Sequence, residues 1–211
     1  MPTTQQHRAH YDAFVTHISA LCQTKHIRAD LERGRGRPVH ECRPLHRHLS
    51  RLVAQHPARR AHYTLASLIA LQRSTSPHST DADLDIDTDN PATTRDRPDR
   101  EEPTPADANA ARAWRSRPNL GTSLAIAVRD HGFNASRTED RLYTLTGLSS
   151  ELLHPRLWSL ARHLLAADVA IDWAVLLEDL AWWDHDQGEI GTRWQDSFYL
   201  TLDSHPTAQE L

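Results

Sequence analysis

A chain of 211 residues, 38% hydrophobic and 25% charged, can bury a core of ordinary size as one domain or two small ones. Its two cysteines, Cys22 and Cys42, are far apart and form no C-x-x-C pair, which argues against a disulfide framework and a thiolate zinc site. The formal net charge of -4 conceals a split: residues 1–73 carry 12 Lys+Arg against 4 Asp+Glu (net +8), residues 74–118 carry 6 against 10 (net -4), and residues 119–211 carry 6 against 14 (net -8). A basic part joined to an acidic part suits a protein that holds a polyanion on one side and protein partners on the other.

From His7 to Gln23 the apolar residues Tyr11, Phe14, Val15, Ile18, Leu21 and Cys22 recur at steps of three and four, which predicts a helix with one buried face. Thr24 is a candidate cap for a second helix that ends at Glu32 or Arg33, where Gly34, Gly36 and Pro38 stop it. A third helix begins near Pro44 and buries Leu45, Leu49, Leu52 and Val53. A fourth begins after Pro57 and carries Tyr63, Leu65, Leu68, Ile69 and Leu71 to about Gln72.

From Ser74 to about Arg117 the composition turns to Asp, Thr, Ser and Pro with few large apolar residues, too little to offset the entropy of ordering, and a disordered linker is expected. Its D-x-D-x-D-x-D run lacks the central glycine and twelfth-position glutamate of a calcium loop. After Pro118, Asn119 is positioned to cap a helix closed by Gly132. Ser136 is the candidate cap of the next, and Ser149 or Ser150 of one with Pro155 in or near its first turn. Asp172 caps W-A-V-L-L-E-D-L-A-W-W-D-H-D, and a last helix places Ile190, Trp194, Phe198 and Leu202 on one stripe. No alternation of strand period occurs. The expected fold is all-α: two helical groups forming a bundle, with a basic N-terminal group at 1–73, a disordered acidic, Pro-rich linker at 74–117, a C-terminal bundle at 118–205 and a tail at 206–211.

No apolar run approaches the ~20 residues of a membrane span, and the N-terminus lacks a signal peptide's apolar core, so a cytoplasmic protein without membrane contact is expected. The sequence holds no P-loop, dinucleotide fingerprint or G-x-S-x-G elbow, so no catalytic residue and no cofactor are assigned. Fifteen histidines, nine of them in residues 1–73, show no metal-ligand spacing, and most are expected at the surface. Mild acid should then strengthen polyanion binding by the N-terminal group. Trp173, Trp182, Trp183 and Trp194 sit among acids that would repel phosphate, which favours core packing over base stacking.

The densest positive charge is at residues 27–51, with seven arginines against three acids around the Gly34–Pro38 break. Arginine stays charged and offers a planar fork suited to phosphate oxygens. Arg28, Arg33, Arg35, Arg37, Arg47 and Arg51 are therefore candidate nucleic-acid contacts. Arg33 and Arg47 rank first, and Arg35 and Arg37 rank lower as exposed turn residues. Arg59 and Arg60, at the start of the fourth helix, and Arg137, Arg141 and Arg162 further on complete the set, Arg137 and Arg141 sharing a helix face at i, i+4.

The order R-A-D-L-E-R-G at 28–34, L-H-R-H-L at 45–49, N-L-G-T-S-L-A at 119–125, R-L-Y-T-L at 141–145, L-A-R-H-L-L at 160–165, I-D-W at 171–173, L-A-W-W-D at 180–184 and W-Q-D-S-F-Y at 194–199 resembles the CasB family, the small subunits of the type I-E CRISPR Cascade complex. The similarity covers nearly the whole chain except the linker. It implies an all-helical, non-catalytic subunit, present as a pair. Its partners would be crRNA, both strands of target DNA in an R-loop, the other Cascade subunits and a second copy of itself. Arg33, Arg47, Arg59 or Arg60, Arg141 and Arg162 sit where relatives look basic. Relatives often follow the W-W pair with basic residues, whereas here Asp184 and Asp186 flank His185. The alternative from composition alone is a helical adaptor that binds a basic protein through its acidic part, without nucleic-acid contacts.

Overall fold

A computed structural model describes residues 4–72 and 105–204. The spaced apolar residues become buried faces. Tyr11, Phe14 and Ile18 turn inward from α1 (Thr4–Leu21), and Leu31 from α2 (Lys25–Glu32). Thr24 precedes α2 as expected but makes no side-chain capping bond. After the Gly34–Pro38 turn comes a short 3-10 turn (Val39–Glu41). Then α3 (Arg43–Val53) starts with Pro44 in its first turn, where the missing N–H costs nothing, and buries Leu45, Leu49 and Val53 while Leu52 stays exposed. Helix α4 (Arg59–Ile69) is covered on every side, with Ala61 through Ile69 all buried, so it forms the central rod of the N-terminal group.

The linker expected over 74–117 is shorter at its C-terminal end. Helix α5 (Pro105–Arg115) occupies that end, since Pro105 suits a first turn and A-D-A-N-A-A-R-A supplies strong helix formers that the Asp/Pro count obscured. The acidic run at 81–89, the rest of the linker and the tail at 206–211 lie outside the described residues. Asn119 caps α6 (Leu120–His131) by accepting from the Thr122 N–H, and Gly132 closes it in the left-handed conformation. The cap of α7 (Ala135–Thr146) is Asn134, whose side chain accepts from the Arg137 N–H; Ser136 lies inside the helix instead. Helix α8 (Ser150–Ala166) follows Ser149 and carries Pro155 beyond its first turn, inside the helix.

The last element, α9 (Trp173–Asp203), is two arms meeting at Asp186, where φ -128 and ψ 31 leave the helical region. This is the break expected between the last two helices. Asp179 on the first arm accepts from Arg193 and, at 2.6 Å, from Trp194 Nε1 on the second. In a straight helix these positions would lie about 20 Å apart. The arms must therefore fold back on each other, and the Trp183 and Trp194 rings meet at 5.0 Å between centroids. Trp173, Trp183 and Trp194 are core, as the surrounding acids implied; Trp182 faces outward at 44% exposure, one helical step off the apolar stripe.

One continuous core joins these elements, because α9 packs on α1, α4, α6, α7 and α8, and α4 also packs on α8. Gly121 is required where α6 crosses the second arm of α9: a Cβ there would lie 1.8 Å from the Trp194 carbonyl oxygen. No strand is present among the described residues, and no helix among them is long and apolar enough to cross a membrane.

Two buried polar groups give measurable consequences. Burial pushes the Asp179 carboxyl up to about 7, against the opposing pull of Arg193 and Trp194. Asp179→Ala leaves the Trp194 N–H without a partner and should lower stability by about 2–4 kcal/mol in urea titration, a moderate figure because Arg193 can turn to solvent. His154 on α8 pairs with the Thr64 hydroxyl of α4 at 2.7 Å, and burial depresses its ring to about 3. Its folded pKa lies below the unfolded value, so between pH 6.5 and 3 the unfolded chain takes up a proton that the folded chain refuses. The stability advantage of wild type over His154→Gln should therefore shrink by about 2 kcal/mol from pH 7 to pH 5.

Candidate nucleic-acid interface

The Gly34–Pro38 turn meets α8 at a backbone contact. Gly36, at φ +69, passes so close that a Cβ would sit 2.2 Å from the His154 carbonyl oxygen. Pro155 explains what lies beside this contact. With no N–H of its own it leaves the Glu151 carbonyl without an intrahelical partner, and Arg60 Nη2 donates to that oxygen at 3.1 Å. Arg60 is thus a strut between α4 and α8. Its neighbour Arg59 lies over the Tyr63 ring at 5.5 Å and donates to the Tyr63 hydroxyl at 3.4 Å. Both are half-buried, so the structure gives the two arginines opening α4 packing roles.

On the solvent side of the same junction a groove of about 720 Å³ opens between α2 and α8. Arg28, Arg35 and Arg162 line it, together with Trp158, Glu32 and Asp168. Arg35 stacks over the Trp158 ring at 5.2 Å and Arg162 over the same ring at 5.7 Å. Arg35 takes φ +48, a left-handed conformation that costs a non-glycine residue on the order of 1 kcal/mol. The stack helps offset that cost, since a cation over an indole gains about 0.5–1 kcal/mol at an exposed site. Stacking occupies the flat face of a guanidinium and leaves its N–H edge available. Among the described residues none of these three arginines is ion-paired, so their donors face the groove unspent.

The other candidates are placed differently. Arg33 donates to Asp30 at 3.2 Å, Arg47 stands 4.0 Å from the same carboxylate, and His48 Nε2 lies 3.3 Å from it. Both arginines remain exposed, yet one acid already compensates them in part. Arg37 and Arg51 are exposed on the turn and on α3, and Arg137 is exposed on α7. Arg141 is half-buried, and burial together with the nearby Arg156 lowers its guanidinium pKa. Arg156, absent from the sequence-derived set, thus adds a like charge beside Arg141 at a place where an anion would relieve the repulsion. Arg8 and Arg117 are spent internally: Arg8 pairs with Glu178 at 2.9 Å, and Arg117 with Asp172 at 2.6 Å and Asp12 at 2.8 Å.

The missed residue that matters most is Trp158. Its spacing one turn before Arg162 on α8 was the available signal, but its pairing with Arg35 depends on the tertiary contact at Gly36. Most of the described histidines are exposed or half-buried, as expected, but two are not. His62 and His154 are fully buried, and burial holds His62 at about 3 and lowers His10 and His56. Three of the nine histidines in residues 1–73 are therefore harder to protonate than a free imidazole, which reduces the expected gain in polyanion binding.

The family model for CRISPR-associated protein Cse2 matches residues 27–199. A chain of a CRISPR RNA-guided surveillance complex aligns with a TM-score of 0.69 and 30% identity, covering 94% of this chain and 96% of its own length. A chain of such a complex in its pre-nicking state gives 0.69 and 29%, covering 93% and 96%. The crystal structure of M. ruber CasB shares the fold with a TM-score of 0.60 at 22% identity, covering 92% and 94%. No curated protein matches the chain significantly. A family model matched over residues 27–199, together with a relative 30% identical and aligned almost end to end, makes the chain a member of the CRISPR-associated Cse2 family.

Proposed function

We propose that the protein is a non-catalytic subunit of a Cascade-type CRISPR interference ribonucleoprotein and that the groove between α2 and α8 holds the sugar-phosphate backbone of a nucleic-acid strand. The observation that carries this reading is the Arg35–Trp158–Arg162 stack facing Arg28 across the groove. Three unpaired guanidiniums at fixed positions suit phosphates and carry no base information, so binding is independent of sequence. Opening a target duplex is a near-balanced exchange of pairs, and contacts of this kind to the target or displaced strand tip it toward the R-loop. Arg33, Arg47, Arg37 and Arg51 extend the basic surface from the turn along α3, and Arg141 with Arg156 forms a second patch. The exposed Tyr143, Tyr199 and Leu200 offer an apolar face, on α7 and the second arm of α9, to the other subunits or to a second copy.

Anisotropy with a labelled single-stranded DNA should show affinity falling with salt at a logarithmic slope of about -2, from three phosphate contacts at about 0.7 each. Arg35→Glu combined with Arg162→Glu should cost at least tenfold in affinity and reduce R-loop yield in the reconstituted complex, with the helical circular dichroism unchanged. Reversal of Arg33 and Arg47, which share Asp30, should cost less. Unaltered DNA affinity and R-loop yield in the groove variant would overturn the assignment and favour an adaptor whose partners survive nuclease treatment.

A further inference from the structure

Three histidines from separate parts of the N-terminal group converge on one point, and none of them lines the arginine groove. His10 comes from the buried side of α1, His62 from the first turns of α4, and His56 from the segment between α3 and α4. One ring nitrogen from each lies within 4.8 Å of the others. The His10 and His62 Nε2 atoms are 3.2 Å apart. Two imidazole nitrogens bound to one zinc ion at about 2.0–2.1 Å in tetrahedral geometry stand about 3.3 Å apart, so this pair already has the spacing of two ligands.

The surroundings supply the support that ligating histidines need. His62 Nδ1 donates to the Ala58 carbonyl at 2.9 Å, which fixes the ring and leaves Nε2 as the lone-pair nitrogen. The Ala58 N–H donates to His56 Nδ1 at 3.1 Å, which places that ring's proton on Nε2 and its lone pair on Nδ1. The Phe14 ring meets the His62 ring edge-on at 4.7 Å and shields one side, while His10 and His56 remain half-exposed and leave an entry path. Without an ion, one proton is shared between the facing Nε2 atoms of His10 and His62.

We propose that His10, His56 and His62 form a binding site for a divalent transition-metal ion of the zinc, nickel or copper type, which fastens α1 to the start of α4. The ion takes the place of the shared proton, which moves to His10 Nδ1, so all three rings bind in neutral form. A turn of the half-exposed His56 ring, which gives up its bond to the Ala58 N–H, brings the Nδ1 lone pair to ligand spacing while Nε2 keeps its proton. A water fills the fourth position. Three imidazoles without thiolate or carboxylate suit these ions and disfavour magnesium and calcium, which take oxygen ligands. Sequence spacing could not reveal this set, because only the packing of α1 on α4 brings position 10 to position 62.

The test uses the untagged full-length chain. Titration with zinc, followed calorimetrically, and with cobalt, followed by its visible absorption, should give one equivalent per chain, a tetrahedral cobalt spectrum and a raised Tm. His56→Asn and, separately, His10→Asn should each weaken binding at least tenfold and abolish the Tm rise; their half-exposed positions let both variants fold, as circular dichroism would verify. His46→Asn with His48→Asn should leave binding unchanged. Failure to bind either ion up to millimolar concentration, or binding that survives both His10→Asn and His56→Asn, would overturn the proposal.

Discussion

The fold turns on one buried carboxylate. Asp179 is fully enclosed, and its two oxygens are taken by Arg193 and by the Trp194 indole N–H from an arm of the same helix that has reversed direction. Burying a carboxylate alone would cost several kcal/mol, so the site exists only if the chain doubles back to bring a cation and a neutral donor to it. That reversal stacks Trp183 on Trp194, and it makes the second arm of α9 the surface on which α6 packs at Gly121. Trp183 in turn donates to the Leu148 carbonyl at 2.9 Å and fixes the turn from α7 into α8. The placement of α8, and with it Trp158 and Arg162, follows from the closure of α9.

The second constraint is the joint between the N-terminal group and α8. Pro155 removes one helical hydrogen bond and so exposes an acceptor that Arg60 fills. Four residues on along α4, Thr64 meets His154, and Gly36 closes on the His154 carbonyl. A proline in the helix interior and a fully buried histidine each cost something in isolation, and Gly36 takes a conformation that only glycine adopts freely. Together they are mutually satisfied, and they hold the turn carrying Arg35 against Trp158. The stack in the groove therefore rests on a joint built from these mutual contacts.

Much of the architecture was legible because local physics decides it. The apolar stripes of α1, α3 and the last arm of α9, the Asn119 and Asp172 caps and the Gly132 stop all follow from spacing and residue type. Asn134 was overlooked in favour of Ser136 because either residue can cap, and only the observed bond to the Arg137 N–H distinguishes them. Helix α5 is hard to read from sequence because its alanines follow directly on a Pro- and acid-rich stretch. The groove was half legible: Arg28, Arg35 and Arg162 were named, but their relative value was not. Arg33 and Arg47 looked strongest from local charge density, yet both lean on Asp30, whereas Arg35 gains an aromatic support from a residue more than a hundred positions away.

Net charge by segment gave the right question and an incomplete answer. Within the basic segment Arg8 is neutralised by Glu178, and in the acidic final segment Arg162 is free to face solvent. What matters for a polyanion is the charge left over after internal pairing, and part of that remainder lies where the two segments touch. Arg28 and Arg35 come from one side of the junction and Arg162 from the other, so a strand lying in the groove would bind both and strengthen the contact between them. On the proposed reading, an interface completed by two parts of one chain would lose its anion site if those parts separated, which would couple strand binding to the integrity of the joint at Arg60, Pro155 and Gly36.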